Sequence, residues 1–289
     1  MKNIDFENLK TPYFIAEIGI NHNGNIKIVK KLIDAAFACN WDCVKFQKRN
    51  PDICVPESMK NIFRITPWGN ITYLEYRKKV EFGKREYNFI DKYCNDKPMD
   101  WSSSIWDLDS LNFINFYDIP FIKIPSAMLT NEELIIESAK TQKRLIISTG
   151  MSEIKDIDNA VNIVNKYNSN KIILMHCNSS YPTPIEELNL NVISFLKKRY
   201  NCIVGYSGHE QDLEPSVVAA VLGAKVIERH ITLSHDLWGT DQKSSLEIMG
   251  MDILKKRIKD IDIMLGDGIK RITDGEKKII EKLRGNDEK

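Results

Sequence analysis

The chain has 289 residues, 43% of them apolar and 28% charged, which is enough apolar surface for a sizeable core and a length suited to one large α/β barrel. Its formal net charge of +1 excludes the strong basic excess of a nucleic-acid or anionic-membrane binder, so an anionic ligand must be held by local charge. The cysteines at 39, 43, 54, 94, 177 and 202 show no Cys-x-x-Cys pair and no zinc-finger spacing. No apolar run approaches membrane-spanning length, and Met1-Lys-Asn-Ile-Asp-Phe-Glu lacks the apolar core of a signal peptide. The expectation is a reduced, soluble, cytoplasmic protein.

Pro12 to Ile20 is a β-branched and aromatic run suited to a buried parallel strand. A turn cluster, Asn21-His-Asn-Gly-Asn25, follows, and Ile26, Val29, Leu32, Ile33, Ala36 and Phe37 then recur at helical spacing before a second strand, Cys43-Val-Lys-Phe-Gln47. Residues 50–98 read as an insertion: a proline-bearing long loop up to Asn70, then an amphipathic helix from Tyr73 to Cys94 interrupted or weakened near Gly83. Strand three is placed at Asp100-Trp-Ser-Ser-Ser104, a helix at Leu108 to Phe116, and strand four at Phe121-Ile-Lys-Ile-Pro125. Thr130 with Glu133 reads as a capping box, and strand five spans Arg144 to Gly150. A helix over 153–167 leads to strand six, Lys171 to Cys177; a helix from Val192 to Tyr200 leads to strand seven at Ile203; Pro215 to Leu222 precedes strand eight at Val226. A helix from Met251 to Met264 closes the series, and 266–289 is a charged helical tail. Eight apolar runs alternating with helical patterns predict a single-domain (β/α)8 TIM barrel spanning 1–289; an open doubly wound sheet is the alternative, and no Gly-x-Gly-x-x-Gly supports its dinucleotide-binding form.

The carboxyl ends of barrel strands carry the chemistry of such folds. Those ends hold Glu17, Asn21 and His22; Lys45 and Gln47; Ser102 to Ser104; Lys123 and Ser126; Ser148 and Thr149; His176; Ser207 and His209; and Glu228 and His230. Two lysines and several hydroxyls beside histidines can hold a phosphate next to a divalent metal. His209 and His230 end successive apolar strands and read as imidazole ligands of an open metal site, or as hydrogen-bonded histidines without metal. Lys45 and Lys123 sit inside apolar strands, so each needs a carboxylate or anion, forms a Schiff base, or reaches solvent at the strand end. Glu17 either meets a sugar hydroxyl or proton, or forms a salt bridge to Lys45. Asp241, on the loop after strand eight, reaches the same mouth or shapes a turn; Tyr181-Pro-Thr-Pro184 is a rigid turn that can place an aromatic hydroxyl. His22 and His176 read as structural hydrogen-bonders.

With these residues assembled, the chain resembles the sialic acid synthase family of phosphoenolpyruvate-condensing enzymes. The resemblance rests on Ala16-Glu-Ile-Gly-Ile-Asn-His-Asn-Gly24, Val44-Lys-Phe-Gln47, Lys123-Ile-Pro-Ser126, Ser148-Thr-Gly-Met151, His176-Cys with Tyr181-Pro-Thr-Pro184, Gly205-Tyr-Ser-Gly-His209 and Glu228-Arg-His230, in the family's order. It implies a manganese or magnesium ion on His209 and His230. It implies phosphoenolpyruvate held by Lys45, Ser103, Lys123, Ser126, Ser148 and Ser207, with Glu17, Tyr181 and Asp241 facing the aldehyde of a small aldose. The implied activity joins phosphoenolpyruvate to an unphosphorylated aldose, an N-acylmannosamine or related deoxyhexose, giving a nonulosonic acid and phosphate. Rival expectations are a 3-deoxy-ulosonate phosphate synthase taking a phosphorylated aldose, a Schiff-base pyruvate aldolase, and a sugar-binding barrel without activity. The sequence departs from the family at Ser102-Ser-Ser-Ile105, which has no proline, at Ser179 in place of asparagine, and at Gly208 in place of aspartate. The family's C-terminal antifreeze-like domain, which covers the partner subunit's site, has no counterpart in the sequence. The expected assembly is a homo-oligomer, with a separate antifreeze-like polypeptide as a candidate partner.

Overall fold

Eight runs of β-branched and aromatic residues form parallel strands that close on themselves, and the computed structural model describes residues 4–284 of the chain. In chain order the elements begin with β1 (Tyr13–Gly19), α1 (Ile26–Ala38) and β2 (Cys43–Lys48). The insertion then supplies α2 (Pro51–Cys54), α3 (Glu57–Lys60), β3 (Phe63–Thr66), β4 (Gly69–Thr72), α4 (Tyr73–Val80) and α5 (Lys84–Asp96). The barrel resumes with β5 (Asp100–Ile105), α6 (Leu108–Ile114), β6 (Phe121–Ile124), α7 (Glu132–Lys140), β7 (Arg144–Ser148), α8 (Ile154–Tyr167) and β8 (Ile173–His176). It ends with α9 (Val192–Tyr200), β9 (Ile203–Gly208), α10 (Glu214–Val221), β10 (Val226–His230), α11 (Ile248–Lys259), α12 (Ile261–Leu265) and α13 (Asp274–Arg284). Around the barrel the order is β1, β10, β9, β8, β7, β6, β5, β2, with β2 pairing back to β1.

Side chains alternate across each stave, and that alternation separates two cores. Phe14, Val44, Trp101, Ile122, Ile147, Leu174, Val204 and Ile227 point outward into the layer shared with the helices. Ile15, Cys43, Phe121, Ile146, Ile173, Ile203 and Val226 point inward and fill the lower barrel, and Phe6 from the N-terminal segment joins that inner layer, edge-on to Tyr13 at 5.2 Å. With the floor filled by apolar groups, the next inward positions up each strand carry the polar side chains. Gly205 is one place where this filling demands glycine: an added methyl would meet Met175 Sδ and lie 2.6 Å from the Val226 carbonyl.

Four expectations need correction. The long loop after Arg49 holds two short helices and an antiparallel hairpin, β3 with β4, whose turn is built on Gly69 at φ +101°. The helix expected from Tyr73 to Cys94 is two helices separated at 81–83, as the break near Gly83 indicated. The cap of α7 is Asn131, whose side chain accepts from Leu134 N at 3.1 Å, in place of the Thr130 and Glu133 pair. The closing helix breaks at Asp260 into α11 and α12. The tail is helical in α13, while 285–289 lie outside the described residues. None of the six cysteines is in a disulfide, and among the described residues no helix is long and apolar enough to cross a membrane.

Candidate active site

Inward-facing positions at the carboxyl end of the staves enclose a cavity of about 180 Å³. Its floor is an alternating set of four buried charges. Lys45 Nζ lies 2.5 Å from Glu17 Oε2 and 3.5 Å from Glu228 Oε1, and it donates to Ser104 Oγ at 2.8 Å. Lys123 Nζ donates to both oxygens of Glu228 at 2.9 Å, and Ser207 Oγ donates to the same carboxylate at 3.2 Å. Burial opposes ionisation of Glu228, but Lys123 and Lys45 outweigh it and hold its carboxyl well below the usual range. Burial likewise opposes the charge on Lys45, yet Glu17 and Glu228 together lift it above an ordinary lysine. Lys123 moves the other way: burial is only partly offset by Glu228, and Lys45 adds repulsion. The two lysines therefore differ because one has two carboxylate neighbours and the other has one.

The histidine pair stands beside this floor. The rings of His209 and His230 have centroids 5.6 Å apart. His209 Nδ1 lies 2.5 Å from the Asn178 carbonyl, so that nitrogen carries the hydrogen and Nε2 keeps a lone pair, which accepts from the Tyr181 hydroxyl at 2.9 Å. Burial first, and then His230, lowers the His209 pKa to about 3, so the ring is a neutral donor at ordinary pH. Burial first, with Asp241 nearby, raises the Tyr181 hydroxyl, which stays protonated. His230 Nδ1 is buried without a hydrogen-bond partner, and Asp241 Oδ2 is 3.9 Å away. A neutral His209 beside a His230 whose Nδ1 has no partner suits a divalent cation whose remaining positions are filled by water and substrate. Among the described residues no third His, Cys, Asp or Glu completes a metal-binding cluster with them.

Glu17, Lys45, Lys123, Ser126, Ser148, Tyr181, Ser207, His209 and His230 all line this one cavity, and Asp241 reaches it beside His230. Ser103 does not. Its hydroxyl is on the outer face of β5, 3.4 Å from Tyr87 OH, because strand alternation sends Ser102 and Ser104 inward and Ser103 outward. Ser104 is the serine of that strand that lines the cavity and meets Lys45. His22 is a structural histidine, stacked on Phe82 and accepting from Gly24 N at 3.0 Å. His176 bonds the Leu188 carbonyl and borders a neighbouring cavity of about 750 Å³.

Two strand-end residues to which the sequence assigned no role, Glu228 and Gln47, and one it did not single out, Trp106, belong to the site. Glu228 is the acid shared by both lysines; its signal was the two-residue spacing that puts Val226, Glu228 and His230 on one face of β10. Gln47 donates to Glu17 Oε1 at 2.9 Å, and Trp106 forms part of the wall. Gly19, at φ +54°, bends β1 beneath this group, where a side chain would lie 3.2 Å from Glu17 Oε1 and 3.3 Å from His230 Cε1.

A family model described as the NeuB family matches residues 32–270. The N,N'-diacetyllegionaminic acid synthase of Campylobacter jejuni is 34% identical over 280 residues, covering 96% of this chain and 84% of that protein. The N-acetylneuraminate-9-phosphate synthase of Drosophila melanogaster is also 34% identical, over 96% of this chain and 73% of its own length. Among solved structures, an N-acetylneuraminic acid (sialic acid) synthetase from Leptospira borgpetersenii in complex with citrate superposes with a TM-score of 0.84 at 28% identity, covering 100% of this chain and 98% of that one.

Proposed function

From the premise that the chain belongs to the NeuB family, and so is a phosphoenolpyruvate-condensing synthase that forms a C–C bond, we propose that its partner substrate is an unphosphorylated aldose, an N-acylmannosamine or related deoxyhexose, and its product a sialic-acid-like nonulosonic acid. The observation that carries this reading is the meeting of Lys45, Lys123, Ser104, Ser126, Ser148 and Ser207 with His209 and His230 in one cavity.

The floor matches two lysines with two glutamates, so it holds phosphoenolpyruvate by direction of its donors rather than by excess charge. Lys123 spends its bonds on Glu228 alone and has a donor left for the ligand; Ser126, Ser148 and Ser207 add hydroxyl donors. These groups fix the enol with C3 directed toward the histidine side of the chamber. Glu17, held by Lys45 and Gln47, orients a sugar hydroxyl, and the protonated Tyr181 donates a hydrogen bond to the acceptor. Asp241 steadies His230. A manganese or magnesium ion held by His209 and His230 would supply Lewis acidity toward the aldehyde oxygen and positive charge against the phosphate. The new bond joins enol C3 to the aldehyde carbon, which takes the carbonyl electrons onto oxygen. Water then adds at C2, and the C2–O bond to phosphate breaks to leave the keto acid and orthophosphate.

Release of orthophosphate that requires both phosphoenolpyruvate and N-acetylmannosamine, and stops on chelation, is the expected result. Absence of turnover with any N-acylhexosamine in the presence of manganese or magnesium would overturn the reading. The reading includes a homo-oligomer, which light scattering on the eluted protein checks.

A further inference from the structure

Behind the histidine pair, on the outer face of the same two strands, lies a buried ion pair that the proposed reaction leaves unused. Strand alternation points His209 and His230 into the chamber and sends Tyr206, Gly208 and Arg229 outward. The Arg229 side chain is 0% exposed; its Nη1 donates to the Asp212 carbonyl at 2.9 Å and to Ser216 Oγ at 3.1 Å, and its Nη2 donates to the Glu210 carbonyl. Its charge is met by Glu210, whose side chain is 1% exposed and whose Oε1 lies 3.0 Å from Nη1. Because Nη1 spends its hydrogens on Asp212 and Ser216, that approach is an ion pair without a hydrogen bond. Oε2 of the same carboxylate accepts from the Tyr206 hydroxyl at 2.8 Å.

Gly208 is what lets this acid reach its partner. Across the β9 and β10 pair, Gly208 is the register partner of Arg229. Its φ lies outside the left-handed region, so the backbone does not call for glycine there; space does. An added methyl would lie 2.6 and 2.7 Å from the two Glu210 oxygens and 2.8 Å from Cε1 of Tyr206, the ring that this carboxylate holds. The Glu210 carboxylate therefore stands where a side chain on residue 208 would be directed, turned back over the end of β9. The resulting clamp joins the residue after His209 to the residue before His230, and those two rings have centroids 5.6 Å apart.

We propose that Glu210 is a positioning residue: its carboxylate, seated in the space that Gly208 leaves empty, fixes Arg229 and Tyr206 and through them the mutual placement of the His209 and His230 rings. The clamp itself is read from geometry alone, and its service to the condensation rests on the reaction proposed above.

The test moves the carboxylate two residues along the full chain. Glu210→Ala leaves Arg229 buried without its counter-ion, Gly208→Asp alone crowds two acids against one arginine, and the double variant returns a single acid to Arg229 from the register position opposite it. In urea unfolding each single change should lower the midpoint, and the double variant should recover more than about half of the Glu210→Ala loss; no recovery would show that the two positions do not share one seat. The rings are followed in long-range proton–nitrogen spectra of protein isotopically labelled at histidine, with His22 and His235 as internal references. The His209 and His230 signals should shift or broaden in Glu210→Ala while the references stay in place, and should return in the double variant. Unmoved His209 and His230 signals in folded Glu210→Ala, or equal displacement in the double variant, would overturn the proposal. If Glu210→Ala does not fold, Glu210→Gln, which keeps an acceptor for Tyr206 and loses the charge, takes its place. With phosphoenolpyruvate and N-acetylmannosamine, Glu210→Ala should lower kcat about tenfold or more with the KM for phosphoenolpyruvate within about threefold, and the double variant should regain most of the rate; an unchanged kcat would remove the positioning role. If the wild type does not turn over, the reaction reading fails while the ring signals and the unfolding comparison still decide the clamp.

Discussion

Glu228 is the position where a single charge has most to answer for. It is 5% exposed and takes Lys123 Nζ on both oxygens at 2.9 Å, with Lys45 at 3.5 Å and Ser207 at 3.2 Å. Glu228→Gln keeps the shape and removes the charge, leaving two ammonium groups, each 2% exposed, with Glu17 beside Lys45 alone and Lys123 without a carboxylate. Removing one partner of a buried pair costs about 3–5 kcal/mol, and since the glutamine carbonyl still accepts one bond the low end applies, about 3 kcal/mol. At about 2–4 °C per kcal/mol for a chain of this size, Tm falls by roughly 6–12 °C. Adding Lys123→Met removes one stranded ammonium, so the double variant should be more stable than the sum of the two single losses by more than about 1 kcal/mol. The carboxyl is depressed in the folded state, so its contribution is present above the ordinary glutamate range and disappears as pH falls through the folded value. Glu228→Gln should therefore flatten the acid limb of the stability curve. Urea unfolding of the three variants at neutral and acidic pH measures all of this. A loss below about 1 kcal/mol for Glu228→Gln, or simple additivity with Lys123→Met, would refute the account of the floor as a coupled charge set.

Ser104→Ala should raise the KM for phosphoenolpyruvate by about 10-fold or more, the loss of a hydrogen bond to a charged group, whereas Ser103→Ala changes it less than about twofold; steady-state rates decide, and the opposite ranking would show that the inward serine was misassigned. Burial lowers the His22 pKa to about 3, so between the ordinary histidine range and that value the unfolded chain binds a proton that the folded chain does not. Stability then falls with falling pH by up to about 1.4 kcal/mol per unit from this residue, and His22→Gln should remove that slope in urea titrations at about pH 7 and about pH 5; an unchanged slope contradicts it. Gly205→Ala places a methyl 2.6 Å from the Val226 carbonyl, where backbone cannot yield, and should cost about 1–3 kcal/mol in the same unfolding assay; a neutral effect would mean that the staves shift freely.

Much of the architecture is legible because strands in a barrel are short, apolar and bounded by turns, and because each helix repeats its buried face. Thus Cys43–Lys48 and Val226–His230 were recognisable from their residues alone. The hairpin at Phe63–Thr72 was not: Phe63, at 64% exposed, and Ile65, at 85%, leave no alternation between buried and exposed faces to read. The cap at Asn131 was missed because Thr130 fits the same local rule one residue earlier, and only the backbone path of α7 distinguishes them.

The site divides along the same line. Linear order alone established which chemistry is available: lysines and serines at strand ends, two histidines closing successive strands, and an acid on β1, since residue type and local pattern are properties of the chain. Tertiary structure alone decided which of these groups meet. It turned Ser104 inward and Ser103 outward and made Glu228 common to both lysines. The physical reason is that a strand's facing alternates every residue. Contacts across the mouth depend on how eight staves register when the barrel closes, and no stretch of sequence contains that information by itself.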